Sequence, residues 1–434
     1  MNIVDNINPT NDHKNITLPR PRIFTLRNGI PLHIINAGSQ EVTKIEILVE
    51  GGSCDDIKGM TASMMASLLR EGSNKYDAET IAEKLDFFGA WLNIDTMSHC
   101  TSISLYSINK YLKDIIEYIT DIIAFPSFPS DKLEILKTRA ISNLKTNNEK
   151  VAFLATKEFQ KRYYGEEHPL GRNVDTEMIN SISREDLLDF HKKWYIPENM
   201  KIIISGIVTD EAIKIIDNYF GNIQCGGKAL TSTSDHPQQN VYSDTILIDK
   251  PNAVQSAIKI GIPTIQRSHP DYIPLRILIT ALGGYFGSRL MQNIREKKGY
   301  TYGISSMLLG MRHNSCIGIN CQCDNKYTMR VVDEIKNEIN KLKSSEIDLE
   351  ELEQVKSHII CDLLKTTDTP FNIGEYYSAV FSSNIPENYF EKQVETATSI
   401  TPYELKEIAN KYLNTDNMLT VIAGATELIS IENS

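Results

Sequence analysis

The side chains in this sequence that could hold a metal, a phosphate or a carbonyl are dispersed, and their spacing excludes more than it offers. The nine histidines stand at 13, 33, 99, 168, 191, 236, 269, 313 and 358. No two lie three or four residues apart, the spacing that places two imidazoles on one helix face to share a zinc ion. The seven cysteines are odd in number and scattered, as a reducing compartment permits. Cys321 and Cys323 alternate like residues on one face of a strand, and no second pair at ligand spacing follows, so strand packing outweighs zinc binding there. Gly283, Gly284 and Gly287 form a loop between two predicted helices. It lacks the Lys-Ser/Thr ending of a phosphate loop, and a tight turn letting two helices approach is its plain reading. His191, among Phe190, Trp194 and Tyr195 at a helix end, reads as packed or capping, and His168 before Pro169 reads as turn chemistry. Spacing by itself does not single out Arg295 and Tyr302, seven residues apart. A guanidinium can fix a carbonyl and a phenol can donate to an oxygen on which charge develops. From spacing alone, a solvated helix arginine and a packed strand tyrosine is the simpler description, and Tyr300 competes at a spacing of five.

The elements that must position these residues come in two copies. The stretch from Ser181-Ile182-Ser183 through Asn199-Met200-Lys201 to Gly206 returns as Ser399-Ile400-Thr401 through Asn417-Met418-Leu419 to Gly424, at a constant offset of 218 residues. A duplication of this period means two domains rather than a solenoid, and 434 residues suit two domains of about 200. The apolar fraction of 41% and charged fraction of 23% are those of a globular protein, while a net charge of -11 argues against nucleic acid or an anionic membrane as partner. No run is long and apolar enough to span a bilayer, and the first twenty residues show neither a secretory nor a mitochondrial leader, so a cytoplasmic location is expected.

After a polar arm (1–21), a first module (22–224) reads as strands 22–28, 30–36 and 43–50, helices 60–69 and 78–88, strands 90–94 and 100–106, then helices 108–124, 130–147 and 151–163. A linker (225–244) leads to a second module (245–434) with the same order: strands 245–249 and 256–262, helices 272–282 and 289–296, strands 301–308 and 315–323, helices 325–342 and 349–366, and the duplicated helix and strand. The charge run Glu346 to Glu353 reads as a solvated helix start. The fold class is α+β, each module an antiparallel sheet backed by helices.

This order resembles the pitrilysin (insulinase) family of zinc metallopeptidases, in its short-chain, two-subunit branch. The marks run from Phe24-Thr25-Leu26-Arg27-Asn28-Gly29, through Tyr164-Gly165 with His168-Pro169-Leu170-Gly171-Arg172 and Phe190-His191-Lys192-Lys193-Trp194-Tyr195, to Gly287-Ser288-Arg289-Leu290 with Arg295-Glu296-Lys297-Lys298-Gly299 and Tyr302. Active members carry His-x-x-Glu-His on the first helix, two imidazoles holding zinc and a glutamate activating its water. The matching positions here are Ser63, Met64, Met65, Ala66 and Ser67, and the third ligand, a glutamate, falls at Asn143 or its neighbour Ser142. The resemblance therefore implies a zinc-free subunit that cannot hydrolyse peptides alone. It also assigns a role to Arg295 and Tyr302, whose family equivalents bind substrate backbone and support the tetrahedral intermediate, and it places Gly283, Gly284 and Gly287 where processing subunits carry a substrate loop. The implied partner is a homologous zinc-bearing subunit acting on a peptide substrate, with a homodimer left open. The alternative is a peptidase-fold scaffold or binding protein with no part in proteolysis.

Overall fold

The computed structural model describes residues 16–232, 244–310, 312, 315–383 and 385–430. Most of the expected arm, the centre of the expected linker, and His13, His236 and His313 lie outside the described residues. The first half runs β1 (Arg22–Thr25), β2 (Pro31–Asn36), β3 (Val42–Glu50), α1 (Thr61–Leu68), α2 (Ala78–Phe87), β4 (Trp91–Thr96), β5 (Cys100–Ile108), α3 (Leu112–Ala124), α4 (Ser130–Asn147), α5 (Val151–Tyr164), α6 (Thr176–Ser181), α7 (Arg184–Trp194), β6 (Met200–Gly206) and α8 (Asp210–Tyr219). The second runs β7 (Asp244–Asp249), β8 (Gln255–Pro263), α9 (Tyr272–Ile279), β9 (Thr301–Gly310), β10 (Ser315–Asp324), α10 (Thr328–Ser344), α11 (Leu349–Thr367), α12 (Pro370–Ser383), α13 (Tyr389–Ser399), α14 (Pro402–Tyr412), β11 (Leu419–Gly424) and α15 (Thr426–Ser430).

The duplication is real in three dimensions. Ser183 caps α7 in a reciprocal box with Asp186, and Thr401 caps α14 in the same way with Glu404. Each helix leads through one turn of 3-10 helix, ending at Asn199 and Asn417, into β6 and β11. The sheets have orders β1-β2-β6-β3-β5-β4 and β7-β11-β8-β10-β9. Both are mixed: β2 runs parallel to β6 and β7 to β11, the other pairings being antiparallel. The parallel pairs exist because β6 and β11 arrive by long helical crossovers, which a hairpin cannot provide. Five of the described helices, α6, α8, α12, α13 and α15, are additional to those expected from the sequence.

One face of the first sheet carries Leu32, Ile34, Ile45, Ile47, Ile202 and Ile204, packed against its own helices. The opposite face is covered by α12 from the second half, whose Ile373, Tyr377 and Val380 meet Ile35, Leu48 and Ile203. The converse holds for the second sheet, where Ala155, Phe159 and Tyr163 of α5 pack on Ala257, Cys316, Val421 and Ala423. Gly261 makes this approach possible, since a Cβ there would stand 2.4 Å from the Phe159 ring.

The face beneath α12 is polar and buried. Glu46 accepts hydrogen bonds from Ser102 at 3.0 Å and from Ser378 of α12 at 2.6 Å, and Lys44 lies 3.3 Å from it. Lys44 also reaches Glu375 of α12 at 2.9 Å. Burial pulls the Lys44 pKa down, but Glu46 and Glu375 outweigh this and hold it above the usual lysine value. At the end of β3, Arg312 grips Glu50 through two bonds of 2.8 and 2.9 Å and donates to the Ser382 carbonyl at 2.7 Å. His33 is buried against Phe381 with ring centroids 4.3 Å apart, and burial, helped by Lys201, lowers its pKa from 6.5 to about 4.

A neutral His33 stabilises the fold fully above pH 6.5, the unfolded value, and that contribution falls as pH drops towards the folded value of about 4, by up to about 3 kcal/mol. Urea unfolding at pH 4.0 to 7.0 should show His33→Phe losing less stability on acidification than the natural chain. Parallel losses would mean that His33 titrates normally in the folded state.

Candidate functional site

The first candidate is α1, the helix that the resemblance matches to the zinc helix of active members. Asp56, buried before α1, accepts from the backbone N–H groups of Lys58, Gly59 and Ala62 at 2.8, 2.8 and 2.9 Å and so fixes the start of the helix. Ala62, Met65 and Leu68 are fully buried and hold its inner face, while Ser63 and Ser67 face outward. Their hydroxyls are turned onto their own helix: Ser63 donates to the Met60 carbonyl at 3.0 Å and Ser67 to the Ser63 carbonyl at 2.8 Å. Ala66 supplies no polar atom, and Asn143 is exposed on α4. These residues do not fit zinc, which is bound by imidazole, thiolate or carboxylate. Among the described residues no three His, Cys, Asp or Glu side chains gather in a way that could hold a metal ion, which fits a zinc-free chain.

The second candidate is built around Tyr302. Strand β9 carries one residue more than β10 between the pairs Thr301–Cys323 and Ile304–Cys321, so Tyr302 and Gly303 together oppose Gln322. The bulge is braced by Thr301, whose hydroxyl donates to the Gln322 carbonyl at 2.6 Å and accepts from the Gly303 N–H at 3.0 Å. Such a bulge re-aims the side chain it carries. Tyr302 is accordingly 90% exposed, although it follows a buried threonine. It stands among the residues lining an open cleft of about 450 Å³ between α5 and the second sheet, whose other polar lining is Thr156, Gln255, Lys259, Asn320 and Gln322. Tyr300 is instead stacked on Tyr327, centroids 4.5 Å apart, which removes it as a competitor.

Arg295 lies on a π-wound helix, Met291–Lys297, where a regular helix was expected. Wide turns of this kind concentrate at functional sites. Its guanidinium sits 4.7 Å from the centre of the exposed Phe286 ring and 3.5 Å from Glu296. It does not line the Tyr302 cleft. Gly283 packs so closely on β9 that a Cβ would stand 2.7 Å from the Ser306 nitrogen, so close approach accounts for this glycine. The loop is tied down by Arg289, which holds Glu351 through two bonds of 2.7 and 2.8 Å. Glu351 is therefore an ion-pair partner rather than part of a freely solvated run, while Asp348 caps α11.

The two weighed histidines are structural. His168 accepts from the Leu170 N–H at 3.0 Å and stacks on Tyr164. His191 donates through Nε2 to the Ile123 carbonyl at 2.7 Å, and burial lowers its pKa despite that bond. Lys259 escaped the sequence reading. Its only signal was a lysine within the otherwise apolar run of β8.

Residues 181–359 match the family profile described as the peptidase M16 inactive domain, M16 being the pitrilysin family. The protein named uncharacterized zinc protease YmxG of Bacillus subtilis is 22% identical over 353 residues, 80% of this chain and 84% of that protein. The non-peptidase homolog YmxG of Helicobacter pylori is 26% identical over 263 residues, 58% of this chain and 59% of that one. A crystal structure of a peptidase M16 inactive domain from Pseudomonas fluorescens superposes with a TM-score of 0.86 at 23% identity, covering 93% of this chain and 98% of its own.

Metal analysis of the chain purified without chelator should find well below one zinc per molecule, because Ser63, Ala66, Ser67 and Asn143, the positions that the resemblance matches to the ligands and the base, offer no imidazole, thiolate or carboxylate. One tightly held zinc would overturn the assignment of that helix.

Proposed function

Since the chain resembles the pitrilysin (M16) peptidases throughout its fold and matches their inactive domain over residues 181–359, we propose that it is a non-catalytic, substrate-binding subunit of a paired peptidase. It supplies Tyr302, with Arg295, to a peptide held at the zinc site of a homologous partner chain. The observation that carries this reading is the bulge in β9, which spends regular pairing to expose a phenol on an open cleft. An exposed tyrosine hydroxyl can donate to a peptide carbonyl and tighten that bond as the oxygen gains charge. Arg295 stacks on Phe286 and meets the Glu296 carboxylate through one nitrogen at 3.5 Å, leaving its other guanidinium donors for a backbone carbonyl. Activation of the attacking water would be the work of the partner's metal. This chain's part is to bind, orient and polarise.

One observation favours the alternative of a scaffold without proteolytic role: Arg295 and Tyr302 do not share a cleft in the isolated chain. The paired reading then needs the partner or the peptide to bridge them.

Mixing the chain with its zinc-bearing homologue should create peptidase activity absent from either alone. Tyr302→Phe removes one donor and should lower turnover of the pair by about 10²–10³-fold, with assembly intact. Arg295→Ala should raise KM as well. Unchanged activity in both variants would leave the scaffold reading.

A further inference from the structure

The pairing registers make the two sheets internal controls for one another. Glu46 pairs with Ile203 on one side and Ser104 on the other, and Lys259 pairs with Val421 and Asn320 at the corresponding position of β8. In the first sheet this position is closed and neutralised: Glu46 is covered by α12 and met by Lys44, Ser102 and Ser378. In the second sheet it is neither. The residue matching Lys44 is Ala257, and the helix that crosses above Lys259 is α5, which offers only the Thr156 hydroxyl at 3.2 Å. The Phe159 ring centre lies 5.8 Å from Nζ. Among the described residues no carboxylate is paired with Lys259, and burial pulls its pKa below the ordinary lysine value.

The space left by Ala257 and by the small residues of α5 is the cleft of about 450 Å³ that Tyr302 helps to line. Among the described residues its lining contains no aspartate or glutamate and Lys259 is its one cation, while Gln255, Asn320, Gln322 and Tyr302 each bring at least one hydrogen-bond donor; the Thr156 hydroxyl donates to the Ala152 carbonyl at 2.8 Å and accepts from Lys259. A half-buried ammonium without a counter-charge, ringed by neutral donors, is an anion site. In a chain of net charge -11 it is also a local exception, as wide negative potential would repel any acidic ligand not given such a foothold.

We propose that the cleft between α5 and strands β8, β9 and β10 is a carboxylate-binding subsite in which Lys259 receives an acidic side chain or the terminal carboxylate of a peptide. The inference rests on the substrate-binding reading above and gives it a substrate class: peptides with a carboxylate placed within reach of the Tyr302 hydroxyl. Charge-assisted bonds from Lys259 and the surrounding donors select against the uncharged analogue, because an amide leaves the buried ammonium unpaired.

The test uses the isolated full chain, so it is independent of any partner or of activity. Three heptapeptides are titrated by calorimetry at pH 7 and low salt: acetyl-Ala-Ala-Ala-Glu-Ala-Ala-Ala-amide, its Gln counterpart, and acetyl-hepta-alanine with a free carboxylate. The expected result is that at least one carboxylate peptide binds about tenfold or more tightly than the Gln amide, the winner identifying side chain or terminus as the source. Lys259→Met should abolish that preference and Lys259→Arg should keep most of it. If Lys259→Met proves unstable by thermal melt, Lys259→Gln reports instead. Equal binding of the three peptides, no binding of any, or a preference that survives loss of Lys259 overturns the proposal. Reconstituted peptidase activity could still stand in each of those cases, and the subsite could stand if that activity failed.

Discussion

The buried polar seam under α12 is the contact on which the rest of this structure depends. A β-sheet face carrying Lys44, Glu46 and Ser102 cannot be closed by an apolar helix, since each unpaired buried group costs about 1–3 kcal/mol. It is closed by Ser378 and Glu375, which reach Glu46 and Lys44. The partner helix is thereby specified by chemistry as well as by shape, and it comes from the other half of the chain. Because α5 makes the reverse crossing onto the second sheet, neither half has a complete core alone. Each module's open face is the other's helix site. Arg312, bonded at once to Glu50 and to the Ser382 carbonyl, locks the same seam at its end.

Within this pseudo-symmetric frame the two halves have diverged in opposite senses. In the first half, the outward positions Ser63 and Ser67 of α1, the helix that the resemblance matches to the zinc helix of catalytic members, are serines bonded to their own backbone. The second half carries a bulge, an exposed phenol and, among the described residues, a lysine without a carboxylate partner, on a face that in the first half is sealed. The open cleft lies on the second sheet, with α5 of the first half packed above it.

Much of this was legible in the sequence. The duplicated segment fixed the equivalence of β6 with β11, and the Ser183/Asp186 and Thr401/Glu404 boxes mark the helix starts with local chemistry that needs no tertiary context. What was not legible is non-local. Helix α12 lies between a sheet and other helices, so Ile373, Tyr377 and Phe381 on one side blur with Phe371 and Tyr376 on others, and Gly374 further weakens the helical signal. The alternation of Lys44 and Glu46 in β3 looks like a solvent-facing edge; only the crossing helix makes it interior. The sequence order suggests that β2 and β3 are neighbours, yet β6 inserts between them. Tyr302 was singled out by the family resemblance rather than by spacing alone, and its exposure follows from a mismatch between two strands that is invisible in either one. For the same reason the sequence brought Arg295 and Tyr302 together more closely than the fold does.

The central claim is that Tyr302 meets a peptide held at another chain's active site. The most direct measurement is photocrosslinking with Tyr302→p-benzoylphenylalanine in the assembled pair, using a labelled peptide that the partner binds but cannot cleave. The account predicts that the label is captured on this chain, and that excess unlabelled substrate suppresses the capture. Label recovered only on the partner, while the partner still binds the peptide, would contradict it.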